Sequence, residues 1–144
     1  MSNQLTRSVR VTLSLEKAFR LFTEKIDLWW PPGHRRFDES EIILEPRVGG
    51  RFLEKKRSGE EIMHGEVIHC TPPSRITYTW YPGALTKPTE VDVRFSDMGD
   101  HTLVEICHSE GESQMGEVWN ERAQKFERAS GEVLSAFVAQ AEQF

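Results

Sequence analysis

Two segments and the turn between them decide the fold: Thr89-Glu90-Val91-Asp92-Val93-Arg94-Phe95-Ser96, then Asp97-Met98-Gly99-Asp100, then Thr102-Leu103-Val104-Glu105-Ile106-Cys107-His108. Val91, Val93 and Phe95 alternate with polar residues, as do Val104 and Ile106, with His108 in the same phase. Alternation of period two sorts side chains onto opposite faces of a strand, so the pattern predicts a hairpin with one apolar face. Ile76, Tyr78 and Trp80, just upstream, repeat it. A one-sided sheet must bury that face against another layer. The chain supplies one at 115–144, where Trp119, Ala123, Phe126, Ser130, Val133, Phe137, Ala141 and Phe144 recur at steps of three and four, the stripe of an amphipathic helix. The expectation is an α+β fold: a curved antiparallel sheet of about six to seven strands around a long C-terminal helix, with a cavity between the two layers.

Further strands are expected at 5–13, 41–44, 51–57 and 62–70. Val48-Gly49-Gly50 is expected as a turn, because glycine reaches positive φ without strain. Gly65 is placed to mark a bulge that bends the sheet. The spacing of Leu15, Ala18, Phe19 and Phe22 after Ser14 predicts a helix, with Ser14 as N-cap and Glu16 in the first turn. A second short helix is expected over 24–30, ended by Pro31 and Pro32, with loop to residue 38. Gly131 inside the last helix costs about 1 kcal/mol of helix propensity against alanine, so it marks either a break or a close approach to the sheet.

The chain has 144 residues, the size of one ordinary domain, and residues 1–144 are expected to form a single one. Its net charge of −5 argues against a nonspecific nucleic-acid or anionic-membrane surface. His34-Arg35-Arg36 and Lys55-Lys56-Arg57 are short basic runs of the kind usually found on solvated surface. Cys70 and Cys107 form no disulfide framework and read as half-buried, reduced thiols. Residues 1–10 lack the apolar core of a signal peptide, and no stretch is long and apolar enough to insert in a membrane, so a cytoplasmic location is expected. The five histidines fall on different elements with no metal-ligand spacing, and P-loop, Rossmann and GxSxG motifs are absent; neither metal nor cofactor is expected.

Four local patterns resemble a known family. These are Ala18-Phe19-Arg20-Leu21-Phe22-Thr23 with Leu28-Trp29-Trp30-Pro31; Glu45-Pro46-Arg47-Val48-Gly49-Gly50-Arg51-Phe52; Gly65-Glu66-Val67 with Pro72-Pro73-Ser74-Arg75-Ile76-Thr77-Tyr78-Thr79-Trp80; and Val104-Glu105-Ile106-Cys107-His108-Ser109. In this order they resemble the START-like superfamily (SRPBCC, Bet v 1-like helix-grip fold), in the branch of homologues of the activator of heat-shock protein 90 ATPase. One departure is local: Gly131 is followed by Glu132 where the branch often carries Gly-Trp. The loops at 82–88 and 109–116 also depart, and loops at a cavity mouth would set ligand choice. The resemblance implies a helix-grip fold and three functions to weigh. They are binding of a small, mostly hydrophobic ligand between sheet and helix; a cyclase- or hydrolase-type reaction in the same cavity; and co-chaperone-like activation of a chaperone ATPase. Binding ranks first.

The inward phase nominates Tyr78, Trp80, Val93, Phe95, Ile106 and His108 from the sheet as ligand-binding residues, with Trp119 and Phe126 from the helix and Trp30 from the Trp-Trp-Pro-Pro corner. Tyr78 and Trp80 read equally as core packing. His108 reads as a structural imidazole, as a ligand partner, or, if the chain is an enzyme, as a general base near neutral pH. Trp29 and Trp30 are adjacent, so one is expected inward and the other at the cavity mouth. His64 and Glu66 share strand phase, compatible with a surface pair or with an acid orienting a histidine. A small hydrophobic molecule is the expected partner, with a chaperone or a second copy of the chain as further candidates.

Overall fold

The computed structural model describes residues 4–37, 39–80, 89–109 and 117–144, with side chains left out at 4 and at 117–126. A single seven-stranded antiparallel sheet runs in the order β1-β7-β6-β5-β4-β3-β2. The strands are β1 Gln4–Val11, β2 Ser40–Leu44, β3 Arg51–Lys56, β4 Glu61–Thr71, β5 Arg75–Trp80, β6 Thr89–Asp97 and β7 Thr102–Ser109. Strands two to seven meander, and β1 closes the far side by pairing with β7 from Gln4↔Ser109 to Val11↔Thr102. The helices are α1 Leu15–Phe22 and α2 Glu117–Ala141, and α2 lies across β1. This is the sheet-and-helix α+β arrangement that the alternation implied, and the helix-grip fold that the resemblance implied.

Helix α1 starts where Ser14 Oγ accepts the Lys17 N–H (3.3 Å) and buries Ala18, Phe19, Leu21 and Phe22. Segment 24–30 departs from the expected helix. It forms a 3-10 turn at Ile26–Leu28, and a second follows at Pro32–His34 inside the expected loop. Both tryptophans are buried, at 5% exposure each. Pro31 and Pro32 follow directly; a proline carries no N–H for a helix and disfavours helical backbone in the residue before it. Trp29 turns into the core, donating Nε1–H to the Leu21 carbonyl (2.8 Å). It packs there against Phe22 and Phe137.

The same corner shields the open edge of β2. Asp27 Oδ1 accepts the Ile42 N–H (2.9 Å) and a 2.7 Å bond from Arg35 Nη1, which also donates to the Ser40 carbonyl. Side chains thus take up edge groups that would otherwise invite another strand.

Bending concentrates in β4. Register slips between Phe52↔Gly65 and Leu53↔Met63, leaving His64 unmatched, and again between Val67↔Tyr78 and His69↔Thr77. A Cβ on Gly65 would collide with the Thr79 carbonyl oxygen, so glycine is required where β5 leans on β4. Gly49 sits at φ +83 in the β2–β3 turn, as expected of that glycine pair.

Helix α2 runs unbroken through Gly131, whose missing Cβ faces the Arg7 guanidinium of β1 at 3.2 Å. Ser130, Val133, Phe137 and Ala141 are buried as the stripe implied, and Leu134 joins them. Phe144 does not: it lies beyond the helix end and is exposed. Ala123 of the stripe lies outside the described side chains.

Candidate functional site

The inner faces of β5, β6 and β7 line up in cross-strand rows. Tyr78 pairs with Val91 and Val91 with His108; Ile76 pairs with Val93 and Val93 with Ile106. Over these rows, beneath α2, lies a cleft of about 70 Å³ that opens to solvent. Among the described residues its sheet wall is Tyr78, Trp80, Val91, Ile106 and His108, and its helix wall is Ala129, Ser130 and Val133. Trp30 and His34 close the side nearest the Trp-Trp-Pro-Pro corner.

Five of the residues nominated from sequence therefore meet here: Trp30, Tyr78, Trp80, Ile106 and His108. Val93 and Phe95 do not. They point inward, but into filled core, with the Phe95 ring 5.3 Å from Phe19 and 5.7 Å from Phe22. Strand phase tells which face a side chain takes, but not whether a helix already covers that part of the face. The side chains of Trp119 and Phe126, and the loop residues 82–88 and 110–116, lie outside the described residues. Val91, Ser130 and Val133 were legible from phase and stripe yet not singled out. His34 gave no signal. Its Nε2 meets Glu132 Oε2 of α2 at 2.7 Å, and this pair ties the corner to the helix beside the cleft.

His108 is 5% exposed. Thr89 has one hydroxyl proton, which it donates to the Trp80 carbonyl (3.0 Å), so it accepts from His108 Nε2–H at 2.8 Å. That assigns the proton to Nε2. Burial pushes the His108 pKa down to about 4, so the ring is neutral near pH 7. An imidazole in this state is a weak proton acceptor, unlike the base near neutral pH weighed from sequence. Burial also raises the Tyr78 phenol, which stays protonated.

Behind Trp80 lies a second buried group. His64 does not pair with Glu66, because the slip at Gly65 breaks the phase the two would share. Glu66 is exposed, while His64 Nε2 lies 3.2 Å from Glu54 Oε1 in the interior. Burial raises the Glu54 pKa, but bonds from Arg36 N–H, Ser40 Oγ–H, Phe37 N–H and His64 outweigh it and hold the carboxyl below its ordinary value. Burial dominates at His64 and lowers its pKa despite the carboxylate. The pair is therefore a carboxylate accepting from a neutral imidazole.

Among the described residues no three metal-ligating side chains converge, and no helix is long and apolar enough to cross a membrane.

The chain is similar to several solved structures. One is protein NE0264 from Nitrosomonas europaea, at 15% identity and TM-score 0.69 over 97% of this chain and 94% of that one. A second is the Aha1 dimer from Colwellia psychrerythraea, at 14% and 0.66 over 94% and 92%. A third is the anthrahydroquino-gamma-pyrone synthase Txn09, at 26% and 0.62 over 96% and 99%. No curated protein matches the sequence. The sequence profile of one family matches residues 12–139, nearly the whole chain. On that match, and on a sheet that grips its last helix, the chain belongs to the family described as Activator of Hsp90 ATPase homolog 1-like protein.

Proposed function

We propose that this protein binds a small, mostly hydrophobic molecule in the cleft between the sheet and α2. The carrying observation is the lining: aromatic and aliphatic walls with a neutral, buried imidazole among them. Such walls favour an apolar guest, and a few fixed polar groups orient it. The volume limits the guest. Ligand pockets commonly measure about 300–1,000 Å³, and this one about 70 Å³. It suits one ring or an apolar tip inserted end-on, with the remainder directed to the opening. The relative named as an anthrahydroquino-gamma-pyrone synthase, whose product name denotes fused rings, favours an aromatic guest. The same name favours a cyclase-type reaction as a second reading. Depressed basicity at His108, with Nε2 already donating to Thr89, ranks that reading below binding.

Isothermal titration with 2-naphthol tests the proposal, beside native mass spectrometry of freshly purified protein for a retained molecule. The expected result is saturable 1:1 binding that disappears in Ser130→Leu, which fills the cleft from the helix side. Binding unchanged in that variant, or no binding of 2-naphthol to a protein that also retains nothing, would overturn it.

A further inference from the structure

We propose that Glu54 and His64 are positioning residues for Trp80, and that Trp80 offers its indole as a stacking platform for a flat aromatic ring. The proposal rests on the cleft being the ligand site.

Three observations carry it. The first is placement. His64 is the unmatched residue at the β3–β4 register slip, and bulges of this kind re-aim a side chain. The slip turns the imidazole inward to 3% exposure. Gly65, next in sequence, leaves room for the Thr79 backbone to lean on β4, which carries Trp80 over His64. The second is geometry. The Trp80 and His64 rings are stacked, with centroids 5.2 Å apart and planes 21° apart. Trp80 lines the cleft and His64 does not, so a guest in the cleft meets the indole and not the imidazole. The third is the anchor. Glu54 is fully buried and accepts from Arg36 N–H, Phe37 N–H and Ser40 Oγ–H at 2.7–3.0 Å, besides His64. A carboxylate removed from water holds its donors firmly, because a lost bond would leave charge unsatisfied in the interior.

Together these make a fixed order: carboxylate, imidazole, indole, cleft. The carboxylate fixes the imidazole plane through Nε2, the imidazole fixes the indole plane by stacking, and the indole presents a flat wall. A planar ring parallel to that wall gains an aromatic contact that a puckered ring of the same skeleton cannot make. His64 and Glu54 then select for flatness without touching the ligand.

The test compares 2-naphthol with decahydro-2-naphthol by isothermal titration on folded protein, reading the ratio of their affinities. Aromatic pairing predicts that Trp80→Leu lowers the flat-over-puckered ratio about fivefold to tenfold, while Trp80→Phe keeps most of it. His64→Gln retains a donor for Glu54 but removes the ring; it is expected to lower the ratio about threefold and leave decahydro-2-naphthol affinity unchanged. Glu54→Gln is expected to act in the same direction. A purely structural role would weaken both probes alike. If the ratio is the same in wild type, Trp80→Leu and His64→Gln while both probes still bind, the platform falls and the ligand site stands. If wild type binds neither probe, both fall.

Discussion

Burying His108 makes stability depend on pH in a window that can be computed. An unfolded histidine titrates near its ordinary value of about 6.5, whereas the folded-state pKa is about 4. Between those values the unfolded chain takes up a proton that the folded chain refuses, so stability rises with pH across the window and is lost as pH falls. The full difference, about 2.5 pKa units, is worth about 3 kcal/mol at about 1.4 kcal/mol per unit. About 2 kcal/mol of it is already lost on going from pH 7 to pH 4.5. His64 is depressed too and adds loss in the same direction, whereas the Glu54 carboxylate contributes stability that disappears further down, below its ordinary value of 4.5. Substitution separates them. Urea unfolding of wild type and His108→Gln at pH 7, 5.5 and 4.5 should give a pH 7-to-4.5 loss about 2 kcal/mol smaller in the variant. Equal slopes would show that His108 takes up a proton in the folded protein as readily as in water, and the argument from its burial would be wrong.

Gly65→Ala should destabilise by about 2–3 kcal/mol, since its Cβ meets the Thr79 backbone and the strand must move; thermal unfolding reads this directly. Phe137→Ala removes the ring that α2 packs against Phe22 and Trp29, and should cost about 3–5 kcal/mol by urea unfolding. Glu54→Ala strands the Arg36 and Phe37 N–H groups, the Ser40 hydroxyl and His64. It should cost about 3 kcal/mol or more, with amide exchange at 36 and 37 accelerating beyond the rest of the chain.

The sheet was legible because its inner faces pack against apolar layers and its outer faces are polar. Alternation at Val91, Val93, Phe95, Val104, Ile106 and His108 therefore survives into the burial of β6 and β7. What escaped reading shares one cause: it depends on contacts distant in sequence or on broken phase. His64 reads as paired with Glu66 until a one-residue slip turns it toward Glu54. His34 looks like loop until α2 brings Glu132 to it from 98 residues away. Val93 and Phe95 look like cavity wall until α1 supplies the rings that fill that end. Both indoles of the Trp29-Trp30 pair find interior partners, Trp29 in the core against Phe137 and Trp30 at the cleft.

Part of the cleft's room comes from short side chains on α2. Opposite Tyr78, Trp80 and His108 the helix presents Ala129 and Ser130 beside Val133; further on, Phe137 packs against Phe22 of α1. A leucine side chain filling this open cleft of about 70 Å³ would bury apolar surface that now meets solvent, worth on the order of 1 kcal/mol. His108, on the same wall, faces the further acid penalty worked out above. Two unrelated stabilising changes are thus left unmade at one place, as happens where a site serves binding rather than folding. Ser130→Leu separates those interests. It should raise stability by about 1 kcal/mol while abolishing 2-naphthol binding, measured by urea unfolding and titration on the same preparation. A loss of stability greater than about 1 kcal/mol would mean that a leucine side chain overpacks this level. The room attributed to the cleft would then be smaller than the lining implies.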